Sequence, residues 1–443
     1  MLIKNRITRI GFLVMFLILI SRVAFAASAG AYSIETEDAG AFGMGTAFVG
    51  EANTPAAVYY NPAGINQMTR PEISVGDAIL APRAQMTQAS NGNVVHEENN
   101  EYSVPNFYAV IPVIPNKLSI GASSGSNWGL GTNWGPNSPL EFATTQASIK
   151  DVDNSFVASY QVTNQWSIAA SADNDYSRED VSFSLNNLGF SPTNANAEIR
   201  AGDDAWGYRI ATMYKINDQN QIGLMYRSRI DHDYTGKIAI NNLGPAYQVG
   251  FGGPFSGSNF ITNIEEKSVL PQSVVIGYSL KPTTKWTINA DLKWTDWSSM
   301  KYETLSFSNL TPGQAQLFNS LNHIPQNWHS TWTESIGAQY DATNRFRVRA
   351  GYYHIESPIS GPNFTPEIPD SNSNGITTGF GFDITKRLTL DVTYSGLIYD
   401  TRNITNSVAN VASGAGNGGL SGTVDGKYSQ FVNIGLISLT YKF

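Results

Sequence analysis

Charged residues at alternate positions of strand-like segments are the groups in this sequence that could do chemistry. Arg and Lys side chains can bind a carboxylate, and Asp side chains can pair with those cations inside a protein. The alternation places ten of them on one common face: Arg209, Arg227, Arg229, Arg345, Arg347, Arg349, Lys293, Asp231, Asp291 and Asp391. We expect most of these groups to pair with one another, so a carboxylate ligand would need one or two cations left unpaired.

Catalytic chemistry has little support in the sequence. Its five histidines are scattered over predicted loops and strand ends: His96, His232, His323, His329 and His354. The chain contains no nucleophile elbow, no zinc-ligand spacing and no acidic calcium loop. The run Gly43-Met44-Gly45 is not a phosphate loop, because no strand precedes it and no Lys follows at the required spacing. We therefore predict that the protein is not an enzyme and uses neither a metal nor a cofactor.

Short alternating segments, which begin after the first seventy residues, must position the charged groups. In one of them Leu388, Leu390 and Val392 alternate with Thr389 and Asp391. Successive side chains of a strand point to opposite faces, so one face is apolar and the other polar. We predict fourteen strands, near 72–81, 102–113, 117–126, 150–161, 165–181, 204–216, 220–236, 268–280, 285–299, 328–340, 344–356, 375–384, 388–398 and 429–443.

The connections and the composition favour a membrane barrel over a soluble sandwich. Short turns alternate with long loops, as in bacterial outer-membrane barrels, and an even number of strands closes the barrel. Charged residues make up 14 % of the chain, whereas they make up about a quarter of a typical soluble domain. In the last strand, Tyr441 and Phe443 occupy alternate positions. A terminal Phe that closes an alternating strand resembles the assembly signal of outer-membrane proteins.

The first residues have the features of an export signal. Lys4, Arg6 and Arg9 precede an apolar core at residues 11–20, and Ala24-Phe25-Ala26 offers a cleavage site, so we predict a signal peptide at residues 1–26. A membrane anchor is the alternative, but the apolar core is short for a span. Cleavage would lower the formal net charge from −8 by four, which argues against a nucleic-acid partner.

Residues 27–70 are rich in Gly and Ala and fit neither a long helix nor an alternating strand. We predict that they form a hatch, a plug inside the barrel of residues 71–443. Gly43 and Gly45 permit tight backbone paths, and the Asn61-Pro62-Ala63 run favours a turn. The hatch could gate the barrel or could be a fixed plug.

Several motifs resemble one family. They are GMGTAF at 43–48, VYYNPAG at 58–64, LP at 270–271, WTDWS at 294–298 and RAGY at 349–352. Together they resemble the outer-membrane long-chain fatty acid transporters (FadL), which include importers of aromatic hydrocarbons such as toluene. The resemblance implies a fourteen-stranded all-β barrel closed by an N-terminal hatch. It also implies lateral exit of an apolar substrate at a kinked third strand, where Gly121 and Gly125 could bend the chain.

The resemblance also suggests contacts for a carboxylate head group. The family has a basic residue late in the fifth strand, which is Arg178 here. Strict alternation from Trp166 would turn Arg178 outward, so this assignment requires a bulge. A second family cation lies at the start of the tenth strand, where this chain has His329, which is mostly neutral at pH 7. This departure weakens the case for strong carboxylate selectivity.

The long loops are unusually apolar for segments in water. Leu185, Phe190, Phe251 and Phe255 are the candidates for binding the apolar body of a substrate. Apolar clusters on loops either bind a partner or pack on one another as a cap, and both interpretations remain open. Burial of an alkyl chain in such a groove gains about 0.8 kcal/mol per CH₂.

The sequence therefore predicts passive uptake of hydrophobic molecules across the outer membrane, with long-chain fatty acids as the first candidate substrate. Import of aromatic hydrocarbons is the alternative within the same class, and a surface adhesin or structural barrel is the alternative from another class. The expected partners are a hydrophobic small molecule, outer-membrane lipid and the assembly machinery, with no nucleic acid. The expected state is a monomer.

Overall fold

A computed structural model describes residues 30–187, 193–319, 322–405, 407, 409 and 424–443. The predicted signal peptide, residues 1–26, lies outside the described residues. The strands are β1 Glu72–Gln88, β2 Val94–His96, β3 Tyr102–Ile114, β4 Leu118–Gly125, β5 Gly129–Asn133, β6 Gln146–Gln161, β7 Trp166–Leu185, β8 Ala195–Lys215, β9 Asn220–Arg227, β10 Ile230–Asn241, β11 Phe260–Leu270, β12 Ser273–Leu280, β13 Trp286–Thr295, β14 Tyr302–Phe307, β15 Ile324–Pro325, β16 Thr331–Asp341, β17 Phe346–Ile355, β18 Ser373–Asp383, β19 Leu388–Tyr399, β20 Arg402–Ile404 and β21 Gly426–Lys442.

The described helices are short. The α-helices are Ala39–Phe42, Ala57–Tyr60 and Pro312–Phe318, and the 3₁₀ helices are Pro62–Gln67, Pro245–Tyr247, Val249–Phe251 and Trp297–Ser299. Among the described residues, none of the helices has the length and apolar character needed to cross a membrane.

The strands close into an antiparallel barrel, because β1 pairs with β21 from Glu72 opposite Lys442 to Gln88 opposite Gly426. The predicted fourteen-stranded barrel is confirmed. Five wall strands are each divided in two by a break, namely β4 and β5, β9 and β10, β11 and β12, β13 and β14, and β15 and β16. Pro271 lies at the break between β11 and β12. Proline has no backbone N–H, and at this break the ladder does not need one.

The two faces of the wall have opposite character. In β19, Asp391 and Thr393 are buried toward the interior and Tyr394 is exposed. The same holds around the barrel, where the exposed large side chains are apolar and include Ile168, Trp332 and Ile376. This inversion of an ordinary soluble surface fits a wall that faces lipid.

Several strands run beyond the predicted bounds toward the long loops. β7 has 20 residues and β8 has 21, whereas about 9–11 residues suffice to cross a bilayer. The upper parts of these strands therefore extend past the membrane. The prediction ended them early because their polar sequences have loop-like composition.

Residues 30–70, hereafter the hatch, are largely buried and pack against the inward face of the wall. Glycines of the wall allow this close approach. A Cβ added at Gly223 or Gly277 would overlap the hatch backbone at Val49 or Gly50, and one at Gly337 or Gly351 would overlap it at Met44. The hatch loops therefore lie directly on the backbone of β9, β12, β16 and β17.

Candidate functional site

The seam between β3 and β5 is interrupted beside the hatch, and this seam is hereafter the wall gap. β3 pairs with β4 only from Phe107 opposite Ser124 to Ile114 opposite Leu118. Beyond the break β5 pairs with β6, and within the described residues it forms no ladder with residues 102–106 of β3. The ring of Tyr102 instead lies against Gly131. Within the described residues, the strand-to-strand ladder that would otherwise close the wall is therefore missing between these parts of β3 and β5.

The break between β4 and β5 is held by one carboxylate of the next wall strand. Asp151 Oδ2 accepts hydrogen bonds from the backbone N–H groups of Asn127 (3.1 Å) and Trp128 (3.4 Å). Ser126 Oγ donates to the backbone oxygen of Asp151. Because Asp151 is fully buried, these bonds fix the inward bend of the chain.

The N-terminal part of the hatch is bound to the same break. Ser33 forms an antiparallel bridge with Trp128. The N–H of Ile34 donates to the oxygen of Asn127 at 2.9 Å, and the N–H of Gly129 donates to the oxygen of Tyr32 at 2.8 Å. A displacement of residues 32–34 would therefore free the edge of the wall gap.

On the long-loop side lies an apolar cavity of about 230 Å³. Aromatic and aliphatic side chains from β7, β10, β14 and the long loops line most of it, including Phe183, Leu185, Tyr247, Phe255, Leu305 and Phe318. No Lys, Arg or His is found among the described residues of the lining. The predicted loop residues Leu185 and Phe255 belong to this lining.

Four acidic side chains interrupt the apolar lining. These are Glu179, Glu266, Glu303 and Glu367, hereafter the glutamate cluster. Glu303 Oε2 accepts a hydrogen bond of 2.9 Å from Gln326 Nε2. Burial, together with the nearby carboxyl groups of Glu303 and Glu179, raises the pKa of the loop residue Glu367 to about 8.

An aromatic cluster separates the apolar cavity from a smaller pocket. The ring of Tyr32 lies 5.0 Å from that of Trp297, 5.8 Å from that of Trp328 and 6.0 Å from that of Trp128. Tyr32 and Trp328 line the apolar cavity, whereas Trp128 lines a pocket of about 50 Å³. The aromatic cluster contains Tyr32, so the hatch supplies part of the partition.

The smaller pocket, hereafter the polar pocket, holds two cations. Lys293 pairs with Glu35 of the hatch. Arg227 is 8 % exposed and forms no ion pair among the described residues, and its guanidinium lies 5.0 Å from the centre of the Tyr59 ring. Arg227 is therefore the cation of this region that a carboxylate could reach.

Two buried side chains attach the second half of the hatch to the wall. Asn61 Oδ1 caps the 3₁₀ helix by accepting from the N–H of Ala63 at 3.1 Å, and Nδ2 donates to Val49 (3.0 Å) and Thr212 (3.2 Å). Arg209 donates to the backbone oxygens of Val58 and Tyr59 while it pairs with Asp173. The Asn61-Pro62-Ala63 run thus acts through a cap and a wall contact together.

Two predicted head-group contacts need correction. Arg178 lies exposed on the outer face of β7, because β7 pairs with both neighbours in unbroken register and contains no bulge. His329 is exposed, with its N–H bonded to the oxygen of Pro358 at 3.1 Å, while the adjacent Trp328 points inward. Phe190 lies outside the described residues, and for Phe251 the structure describes the backbone alone.

The interior charges also differ in part from the prediction. Arg229 and Asp231 form an exposed pair, because Arg227 and Ser228 are both buried and the break there shifts the alternation by one residue. Arg345 lies in the exposed turn before β17 and donates to the oxygen of Asp383 at 2.9 Å.

The predicted bend residues occupy different places. Gly125 is the last residue of β4, next to the break. Gly121 lies within the continuous part of β4, where a Cβ would lie 2.7 Å from Cγ2 of Val58. Its role in the structure is to admit the hatch, and the bend follows from Ser126, Asn127 and Trp128.

Removal of the Asn61 side chain should loosen the hatch. We expect Asn61→Ala to destabilise the 3₁₀ helix by about 2 kcal/mol, because a cap and two buried hydrogen bonds disappear. Hydrogen exchange at the amide of Ala63 measures the effect. Asn53→Ala is the matched control, since the side-chain amide of Asn53 donates to Glu51 within the hatch. Equal exchange rates at Ala63 in the two variants would contradict the anchoring role of Asn61.

Comparisons with known proteins agree with this architecture. Residues 20–443 match the family model described as outer membrane protein transport protein (OMPP1/FadL/TodX). A long-chain fatty acid transport protein of Escherichia coli is 23 % identical over 387 residues, which cover 79 % of this chain and 83 % of that protein. The crystal structure of a Pseudomonas aeruginosa FadL homologue matches with a TM-score of 0.79 and 18 % identity over 93 % of this chain and 100 % of the other. That of the Pseudomonas putida toluene transporter TodX matches with a TM-score of 0.70 and 17 % identity over 92 % and 99 %.

Proposed function

This chain belongs to the outer membrane protein transport family that includes FadL and TodX, and from that membership we propose a three-step route for its cargo. The protein is an outer-membrane transporter of hydrophobic compounds and not an enzyme. In the proposed route the apolar cavity captures a hydrophobic molecule, the N-terminal part of the hatch moves, and the molecule leaves sideways through the wall gap.

The observation that supports this route most strongly is the junction of the hatch with the wall gap. Residues 32–34 bond the break between β4 and β5, and Tyr32 also lines the apolar cavity. A molecule that displaces the Tyr32 ring would therefore strain the backbone bonds at the wall gap. No energy source is needed, because transfer of an apolar molecule from water into the cavity and on into lipid is favourable.

Two substrate classes have support. Aromatic hydrocarbons fit the apolar cavity, since its lining is mostly aromatic and aliphatic and its described residues include no cation that could hold a carboxylate head. TodX, named a toluene transporter, is similar in fold. Long-chain fatty acids are the second candidate, because Arg227 is a buried cation of the polar pocket that has no ion pair among the described residues. The relative from Escherichia coli is named a long-chain fatty acid transport protein.

A reversible cross-link tests the proposed movement. Ser33 and Trp128 are directly opposite each other, and hydrogen bonds flank the pair on both sides. Residues in such a pair have Cα atoms about 4.5 Å apart. A disulfide can span this distance. The chain has no cysteine, so Ser33→Cys with Trp128→Cys introduces a single pair. We expect oxidation to lower uptake of labelled toluene and oleate several-fold, and reduction to restore it.

The same double variant in its reduced form is the control for lost packing at Trp128. Uptake that is unchanged by oxidation would contradict movement of the hatch. Cells with the unmodified protein that take up neither compound faster than cells without it would contradict transport altogether and would favour an adhesin or structural barrel.

A further inference from the structure

The glutamate cluster is the feature of the apolar cavity that a purely hydrophobic cargo does not explain. An ionised carboxylate is costly to bury unless it is paired. Glu266 is 5 % exposed, forms no ion pair among the described residues, and lies near the carboxyl groups of Glu179, Glu303 and Glu367. Glu179 Oε1 is buried without a hydrogen-bond partner.

A bound metal ion is not the explanation that the geometry supports. Among the described residues, no group of acidic or histidine side chains is arranged to hold a metal. The four carboxyl groups come from β7, β11, β14 and the loop after β17, and the side-chain amide of Gln326 is bonded to one of them, Glu303. They therefore line one region of an apolar cavity without converging on a point.

We propose, on the basis of the transport function proposed above, that the apolar cavity prefers hydrophobic molecules with an ammonium head group. The apolar body of such a molecule contacts the aliphatic and aromatic lining. Its head donates hydrogen bonds to carboxylate oxygens, which accept and do not donate when ionised. A cation held in this way forms charge-assisted bonds, which are about twice as strong as neutral ones.

Two further features of the cavity agree with this preference. A cation can contact the face of an aromatic ring, and Tyr32 and Tyr234 line the cavity near the glutamate cluster. Among the described residues of the lining, a carboxylate head would meet four acidic groups and no cation. The cavity thus favours cationic over anionic amphiphiles that have the same apolar body.

Four probes that differ only at one end test the proposal: 4-phenylbutylamine, 4-phenylbutan-1-ol, 4-phenylbutyrate and butylbenzene. Calorimetric titration of the full protein in lipid nanodiscs, with empty nanodiscs subtracted, measures each affinity. We expect the amine to bind about tenfold more tightly than each of the other three, as a charge-assisted bond replaces a weaker contact. Tightest binding of the butyrate, or equal binding of the amine and butylbenzene, would overturn the proposal.

Matched variants test whether the preference for the amine depends on the glutamate cluster. Glu266→Gln and Glu179→Gln each keep the side-chain shape, and we expect each to reduce the preference for the amine about tenfold. Glu265→Gln is the control, because Glu265 neighbours Glu266 in β11 but is exposed on the other face, and it should retain the preference. Retention of the preference in both cluster variants would overturn the proposal.

The outcomes separate this inference from the transport function on which it rests. Binding of butylbenzene without a preference for the amine overturns the head-group proposal and leaves hydrophobic uptake standing. Failure of all four probes to bind overturns both.

Discussion

Replacement of Arg209 by Ala should destabilise the folded protein by about 3–5 kcal/mol, because it leaves a buried carboxylate without its cation. Arg209 is fully buried. Its Nε and Nη2 donate to the two carboxylate oxygens of Asp173 at 3.0 and 2.7 Å. The other terminal nitrogen, Nη1, donates to the hatch oxygens of Val58 (3.3 Å) and Tyr59 (3.1 Å), so the same change also removes these two hydrogen bonds between the hatch and β8.

Urea unfolding in lipid vesicles, followed by tryptophan fluorescence, measures the decrease in the free energy of unfolding. Arg200→Ala is the matched control on the same strand, since the Arg200 side chain is 68 % exposed and its surface pairs with Asp180 and Glu198 should contribute at most about 1 kcal/mol. Equal losses in the two variants would contradict the anchoring role of Arg209. The loss of stability in Arg209→Lys should lie between the losses in Arg209→Ala and Arg200→Ala. A Lys retains the positive charge but cannot form the paired hydrogen bonds of the guanidinium group.

The barrel could be predicted because its wall repeats one simple rule. Alternation of apolar and polar residues, as at Leu388 to Val392, depends only on the pleat and on lipid outside the wall. The breaks within the wall strands could not be predicted in this way, because each break depends on a partner from another strand. Asp151 holds the bend at Asn127 and Trp128, and no periodic pattern in β6 marks it.

The candidate site was predicted in part for the same reason. Loop residues Leu185 and Phe255 were identified by their apolar character, which is a local property. Glu179, Glu266, Glu303 and Glu367 are far apart in the sequence, and only the folded strands β7, β11 and β14 and the loop after β17 bring them to one cavity. No local signal marked them, since Glu179 is followed by Asp180 and Glu266 is preceded by the exposed Glu265.

Arg178 shows where a resemblance can mislead. Its place late in the fifth strand matched the family pattern, but the regular ladder on both sides of β7 keeps it on the outer face. The alternation from Trp166 predicted that orientation correctly. Local stereochemistry was therefore the better guide to the direction of this side chain.

A cross-link over the wall gap should abolish transport. Tyr102 of β3 and Gly131 of β5 face each other where the ladder is missing. Tyr102→Cys with Gly131→Cys, joined by a short reagent that bridges two thiols, would hold the two edges together. Because the gap is the proposed exit, uptake of labelled toluene should fall to the level of cells without the protein.

The matched control is the same reaction across an intact seam, at Thr378→Cys with Tyr394→Cys. These residues are opposite each other in β18 and β19 and both face outward, so their cross-link should leave uptake unchanged. The decisive measurement is therefore the uptake rate of the protein cross-linked at residues 102 and 131. Our account predicts loss of uptake in this protein alone, and a rate equal to that of the unreacted variant would contradict lateral exit through the wall gap.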